Sequence, residues 1–488
     1  EVVNSCIVEH SLSMPKPGWM EHDPDKIWWG EFVKISKKLL ESSKINPKLI
    51  KGIGVSGIGI CVVPIDEDGN ALRQGILYGI DTRASKEILE LEEKLGKDEI
   101  LQLSASHLSA SVSGPKILWI KHNEPEVYKK ARWFLTSHSF IVYRLTGRAT
   151  VDIYSACGYA PLIDVEKISW NKKAADLIVP IEKLPDLVWS SEVVGSVSNA
   201  AAKNTGLAAG TPVIAGTIDA AAEALSAGLS EYGDMMIMLG SSNSLILKCN
   251  ILVRTDNFWG LNWVEPNAYA VVGGMSTVGS LTRWFRDNFA PMEMENQIEG
   301  GENAYASIAK LALKSPPGSN GLVALPYFEG ERTPIYDPDA KGVLFGLSLK
   351  HTRADIYRAI LEGVGFGIRH NIESMTAEGL SPKRFLAVGG GTKNLEWMQM
   401  ISDITNVEMI IPEKQIGSAY GDAVLAAVGV GILKDFAESK KWIQYRQKIM
   451  PNPENSETYG TLYSIYRRLY EQNKNLMAEI SEFNRTLK

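Results

Sequence analysis

The stretch TPVIAGTIDAAAEALSAGL, residues 211–229, joins a strand to a helix and sets the reading of the whole chain. Residues 211–215 form a short apolar run, the length of a buried strand. The run passes Gly216 and stops at Asp219, and an Ala-rich helix follows over 220–229. A strand that ends on an aspartate sets its carboxylate at the C-terminal edge of a sheet, where ligands sit in open α/β sheets. Such a carboxylate can accept the proton of a hydroxyl as its oxygen attacks phosphorus. The same aspartate can equally cap the helix through backbone amides, and local sequence alone favours the cap.

Working outward, strands and helices alternate on both sides of a break near 227–231. Upstream, residues 4–11 read as a strand and 15–25 as a loop rich in Pro and Gly. Residues 28–40 read as a helix with Trp28, Phe32, Ile35 and Leu39 on one face. Apolar runs at 50–55 and 60–65 flank Ser56-Gly57. Asp66-Glu67-Asp68-Gly69 is a turn, and a strand at 75–77 precedes a helix over 88–95. Gly114-Pro115 opens a helix over 113–121. Residues 134–145 read as a further helix. Downstream, strands at 235–239 and 244–249 flank Gly240-Ser241-Ser242-Asn243 as a hairpin. A strand at 269–272 leads through Gly273-Gly274 to a helix that contains Trp284-Phe285. A strand falls at 322–325. Thr352 with Asp355 three residues on has the spacing of a capping box, and Ile356, Ile360, Val364 and Ile368 line the helix it opens. The strand 384–388, Gly389-Gly390-Gly391, the helix 395–405 and the strand 407–411 form one unit. Helices over 418–428 and 459–483 follow. Two α/β domains of similar size, 1–228 and 229–488, are expected.

Composition narrows the function. The chain has 488 residues, too long for one core, and an ordinary globular mix of 45% hydrophobic and 22% charged residues. Its formal net charge of -6, without a basic run, argues against nucleic-acid binding. Cys6, Cys61, Cys157 and Cys249 are scattered without a C-x-x-C pair, which fits buried thiols in a reducing compartment, the cytoplasm. No apolar stretch is long enough to span a bilayer, and no membrane association is expected.

Three further groups carry candidate chemistry. Gly240-Ser241-Ser242-Asn243 has little side-chain bulk, so its amides and hydroxyls suit phosphate oxygens, or it is an ordinary turn. Gly389-Gly390-Gly391, with Asn394 and Trp397 beyond, allows a ligand to approach the backbone, or is a plain loop. No G-x-x-x-x-G-K-[ST] is present, which excludes a P-loop. Asp81-Thr82-Arg83 can hydrogen-bond polyol hydroxyls, or form an ion pair at a helix start. Trp28, Trp29, Trp119, Trp284 and Trp397 read as core rather than sugar-stacking residues.

In their order along the chain these pieces resemble the FGGY carbohydrate kinases, the family of xylulokinase, gluconokinase and glycerol kinase. Residues 113–124 (SGPKILWIKHNE) look like the family's first signature. Gly342 to Leu347, with His351 through Glu362, looks like the second. Residues 215–219 match the segment that carries the family's catalytic base, and Gly240-Ser241-Ser242 matches its Gly-Thr-Ser phosphate hairpin. Residues 389–394 with Met398-Gln399 and Ser402-Asp403 look like its adenosine segment. Gly330-Glu331-Arg332-Thr333 is another family loop. The resemblance implies two ribonuclease-H-like (actin-like ATPase) domains with an interdomain cleft, sugar on the first and ATP mostly on the second. It implies Asp219 as base, and Asp81, Arg83, Gly59 and Ile60 near the sugar. Gly240, Ser241, Ser242, Gly279 and Arg283 would lie at the ATP phosphates, and Gly390, Gly391 and Asn394 at the adenosine. ATP and Mg²⁺ are the implied cofactors, with metal ligands unassigned. A small sugar or polyol is the implied partner, and a homodimer is compatible.

Two departures matter. The family opens with a strand and a D-x-G-T-x-x-x-K loop that binds phosphate and places Mg²⁺. Here the chain begins at Glu1, after that loop, and an incomplete sequence is expected, because a half-built sheet would expose an unpaired edge. Xylulokinases usually carry Gln-Met-His-Gly after the second Ser-Gly, whereas Ser56-Gly57 here precedes Ile58-Gly59-Ile60-Cys61. Loss of a polar sugar contact can change the acceptor. The expected function is ATP-dependent phosphorylation of a ketose. Gluconate or another polyol is the alternative acceptor, and a non-catalytic sugar or nucleotide sensor the alternative role.

Overall fold

The computed structural model describes residues 1–413 and 416–487. They form two compact units. The first comprises 1–230, 249–270 and 416–443, and the second 231–248, 271–415 and 444–488. By their contacts, residues 249–270 and 416–443 group with the first unit. The reason for 416–443 is packing. The helix Ser418–Gly429 lies so close to the helix Asp219–Ala227 that a Cβ on Gly421 would sit 1.8 Å from the Ala222 carbonyl oxygen. Only a run of small residues permits that approach.

In the first unit, Ser56–Gly57 pairs in parallel with Thr217–Ile218, and Ile53 bridges Val213 in the same sense. Pro212–Ile214 continues antiparallel to Val193–Ser196, and Val63–Ile65 pairs antiparallel with Trp133–Leu135. Val55, Cys61, Val63, Ile65, Leu135, Phe140, Val142 and Val213 fill one core between these strands and the helix Ser137–Thr146. Residues 134–145, expected as one helix, are a strand and a helix joined at an extended Thr136. A continuous apolar run does not separate the two periods. Residues 4–11, expected as a strand, form no ladder and run largely exposed. Trp28, Trp29 and Trp119 are buried as expected.

The second unit is built on strands in the order Tyr269–Gly273, Asn243–Cys249, Asp234–Leu239, Arg384–Val388, Glu408–Pro412, Tyr445–Ile449. The first hairpin, Asp234–Leu239 with Asn243–Cys249, is antiparallel. Asp234–Leu239, Arg384–Val388 and Glu408–Pro412 run parallel to one another. The helix Arg353–Ala377 is buried along most of its length. The terminal helix Ser456–Thr486 presents Tyr459, Tyr463, Tyr466 and Tyr470 along one face, against Phe366 and Tyr327.

The cap of the long helix is real. Asp355 Oδ2 accepts the Thr352 amide at 2.7 Å and the Thr352 hydroxyl at 2.8 Å, and Oδ1 accepts Ser315 Oγ at 2.7 Å and Asn320 Nδ2 at 2.8 Å. Burial opposes the charge, but these donors outweigh it and hold the carboxyl below its ordinary range. The folded state therefore gains from ionised Asp355 above the unfolded value of about 3.9, and loses that gain as pH falls. Asp355→Ala should lower unfolding free energy by about 1–3 kcal/mol at pH 7. In denaturant melts, the gap to wild type should narrow below pH 4.

Candidate functional site

The strand pairing fixes the central carboxylate. Thr217 and Ile218 lie opposite Ser56 and Gly57, so the next residue, Asp219, enters its helix beside the segment that follows Gly57. That segment is laced to the helix behind it. Ser137 Oγ donates to the Ile58 carbonyl at 3.0 Å, and Thr136 Oγ1 accepts the Cys61 amide at 3.2 Å. Asp219 Oδ1 accepts the Ala220 amide at 2.8 Å, and the carboxylate also takes a hydrogen bond from the Gly59 amide. Asp219 is the first residue of its helix rather than its cap, a place held by Ile218.

Electrostatics keep this group basic. Burial raises the Asp219 pKa. The Ala220 and Gly59 amides and the His138 imidazole pull the other way without cancelling it. Glu223, one turn on, is also raised, first by burial and then by the Asp219 charge. His138 is fully buried, with Nε2 3.3 Å from Asp152 Oδ1, and Ser190 Oγ donates to Asp152 Oδ2 at 2.7 Å.

The structure brings Gly59 to Asp219. Ile60 is buried against Gly158 and belongs to the core. Asp81 and Arg83 are given to each other. Arg83 Nε and Nη2 donate to the Asp81 carboxylate at 2.9 and 2.6 Å, and the Met20 amide adds a third bond at 2.6 Å. Arg83 also bonds Glu21 at 2.8 Å and lies over the Trp19 ring, 4.0 Å from its centroid. Both side chains are 0% exposed. They hold the 78–83 turn closed, with both side chains engaged in one ion-pair network. Lys116, in the first signature, is likewise structural, donating to the Leu77 and Ala110 carbonyls at 2.6 and 2.7 Å. Sequence reasoning missed Tyr78. Its exposed side chain covers Gly59, where a Cβ would stand 2.2 Å from the ring. It missed Asp422 too, which accepts Ser56 Oγ at 2.7 Å. Neither carries a motif signal.

In the second unit the 240–243 turn is clamped by backbone. Gly279 N donates to Gly240 O at 2.9 Å, and Val278 N and Ser280 N donate to Ser241 O, each at 3.0 Å. Ser241 and Ser242 are exposed. Arg332 Nη2 donates to the Asn243 and Met275 carbonyls at 2.7 Å each, from the 330–333 loop. Glu331 in that loop accepts the Ser276 and Arg332 amides at 2.7 Å, yet burial pushes its carboxyl up to about 7. Arg283 is exposed on the helix Gly279–Phe289. Gly390 and Gly391 lie in a short 3₁₀ turn after Arg384–Val388. Asn394 caps the helix Leu395–Thr405 through a 3.1 Å bond from Trp397 N. The phosphate-suited turn and the glycine turn thus follow neighbouring strands, Asp234–Leu239 and Arg384–Val388.

The N-terminal domain of the FGGY family of carbohydrate kinases matches residues 1–226, and the C-terminal domain of the same family matches 235–430. The chain belongs to the FGGY family of carbohydrate kinases. It is an ATP-dependent carbohydrate kinase with the two-domain, actin-like ATPase fold of that family. Among its relatives, the xylulose kinase of Bacillus subtilis is 31% identical over 98% of this chain and 93% of its own length. The gluconokinase of Bacillus subtilis is 26% identical over 100% of this chain and 94% of its own. A solved xylulose kinase from Rhodospirillum rubrum has a TM-score of 0.88 at 31% identity, over 96% of this chain and 93% of that one.

A Cβ on Gly279 would stand 2.4 Å from the Gly240 carbonyl, so the clamp on the turn leaves no room for a side chain. In this kinase, Gly279→Ala should raise KM for ATP about tenfold or more, a loss of about 1.4 kcal/mol in binding, with KM for the sugar little changed. Initial-rate kinetics with each substrate varied in turn would show it. Equal changes in both constants would mean that the turn does not serve the nucleotide.

Proposed function

We propose that this kinase phosphorylates a ketose of the xylulose type, with Asp219 as the base. The observation that carries the reading is the setting of Asp219. It is a half-buried carboxylate at a strand end, oriented by two amides and raised by burial toward the pH at which a base works best. Two relatives named xylulose kinase, at 31 and 30% identity over 98% of the chain, support the acceptor class.

In the step proposed, Asp219 accepts the proton of the acceptor hydroxyl. The hydroxyl oxygen forms a bond to the γ-phosphorus as the bond from that phosphorus to the ADP oxygen breaks. The products are a sugar phosphate and ADP. The exposed Ser241 and Ser242 and the amides of their turn are proposed to bind the ATP phosphates, and the glycine turn at 390–391 the adenosine. Mg²⁺ is proposed to arrive with ATP. Among the described residues no cluster of three His, Cys, Asp or Glu side chains could hold a metal ion alone. Mg²⁺ commonly relies on substrate phosphates and water for most of its ligands, which suits a donor set of this kind.

The Ile58-to-Cys61 stretch bears on the acceptor. Ile60 and Cys61 are core, and burial pushes the Cys61 thiol up to about 12. The Gly59 amide is given to Asp219, and the Tyr78 ring stands where a side chain on Gly59 would be. Gluconate is the second reading, favoured by the gluconokinase relative.

Asp219→Asn should lower kcat on the best acceptor by about 10²–10⁴ and leave the fold intact by circular dichroism. Xylulose, other ketoses, gluconate and polyols form the panel, read by coupled ADP release. Near-wild-type turnover in that variant would remove Asp219 from the base role, and gluconate as best acceptor would overturn the ketose assignment. Chelation by EDTA should stop turnover, and added Mg²⁺ should restore it.

A further inference from the structure

We infer that Asp422 is a positioning residue for Asp219, acting through Ser56 from the buried side of the first unit. The inference rests on the reading of Asp219 as base. Asp422 stands on the helix Ser418–Gly429, next to Gly421, the point at which that helix touches the Asp219 helix. Its own backbone is pressed against the first unit as well, since a Cβ on Gly54 would stand 2.4 Å from the Asp422 carbonyl oxygen. The side chain is therefore fixed from two directions. Oδ2 accepts Ser56 Oγ at 2.7 Å. Ser56 pairs with Thr217, two residues before Asp219, and its strand leads to the Gly59 amide that bonds the base. One hydrogen bond thus ties the helix at 418–429 to both segments that aim Asp219.

Asp422 is also underserved for a charge. It is buried, and Oδ1 accepts no hydrogen bond among the described residues. Burial pushes its carboxyl up to about 7. Ser56, through its hydroxyl and its amide, opposes that shift and the Asp219 charge adds to it. The elements packed against its helix carry Asp219 and Glu223 on 219–227, and Glu438, Lys440 and Lys441 on 436–441. The strands at 56–57 and 212–214 carry no charged residue. The charge that reaches Asp422 is that of Asp219. Near neutral pH, one proton on Asp422 lets Asp219 stay ionised without a second buried negative charge beside it. As pH rises through about 7, Asp422 ionises and Ser56 is held as donor to a charged partner.

The test is Asp422→Asn in the whole chain, with Asp219→Asn and Ser56→Ala alongside. In wild type, kcat/KM against pH should bend near 7, and Asp422→Asn should remove that bend. Difference infrared spectra should show a protonated carboxyl at pH 6 that fades by pH 8 and is missing from Asp422→Asn. Because the folded state holds this proton more tightly than the unfolded chain, Asp422 costs stability as pH rises from about 4 to about 7. The Tm of Asp422→Asn should therefore gain on wild type across that range, and Ser56→Ala should shift the infrared midpoint upward. An unchanged pH profile, with no carboxyl band assigned to Asp422, overturns the inference. If instead Asp219→Asn stays active, the assignment of the base has failed, while the infrared and melting results still report on Asp422.

Discussion

The register of two short parallel strands decides where Asp219 stands. Ser56 opposite Thr217 and Gly57 opposite Ile218 leave the chain no alternative for Asp219. It must begin a helix beside residues 58–60, within reach of the Gly59 amide. A slip of one residue would turn Thr217 and Ile218 to opposite faces and carry Asp219 with them. The register is protected by what surrounds it. Ile53 bridges Val213 upstream, and the Ala222–Gly421 contact fixes the helix downstream. The approach of two backbones at Gly421 is as specific as any side-chain fit, because a single methyl group would abolish it.

The second unit places its ligand-suited turns by a different means. Little about Gly240-Ser241-Ser242 is rigid in itself. Backbone donors from 278–280 hold its carbonyls, and Arg332 reaches in from a separate loop to hold the Asn243 and Met275 carbonyls. With the carbonyls occupied, the turn's small exposed side chains are left for anionic oxygens. The loop that supplies Arg332 is itself anchored by Glu331, which accepts two amides. Phosphate recognition by backbone and hydroxyls, as proposed for this turn, would suit a protein whose net charge is negative.

Much of this was legible in the sequence. The hairpin around 240–243, the capped helix at 352, the strand–glycine–helix unit at 384–405 and the strand leading to Asp219 all announce themselves through turn residues and periodicity. The errors have common physical causes. A short apolar run does not reveal its period, so 134–145 was expected as one helix. Chain order does not reveal contacts, and the packing of 416–443 with the first unit rests on the meeting of Gly421 and Ala222. Asp81 and Arg83 are two polar residues near a turn, and nothing local announces that they pair with each other. Asp422 and Tyr78 reach Ser56 and Gly59 across the fold from segments without any motif, and only tertiary packing brings them there.

The buried carboxylates differ in how far their donors offset burial. Asp81 takes bonds from the Arg83 guanidinium and the Met20 amide, and its network closes on Glu21 and Arg73. Asp355 takes four donors and is held below its ordinary range. Groups served in this way are already committed, and a ligand could gain little from them. Asp219 receives the Ala220 and Gly59 amides and Asp422 the Ser56 hydroxyl and amide, and in both, burial wins over the hydrogen bonds. A carboxylate left short of donors costs the fold stability, because a buried charge without full compensation is unfavourable. For Asp219 in the role proposed, that cost has a use if the missing partner arrives with the substrate, and an acceptor hydroxyl, which donates a hydrogen bond before it gives up its proton, is a partner of that kind.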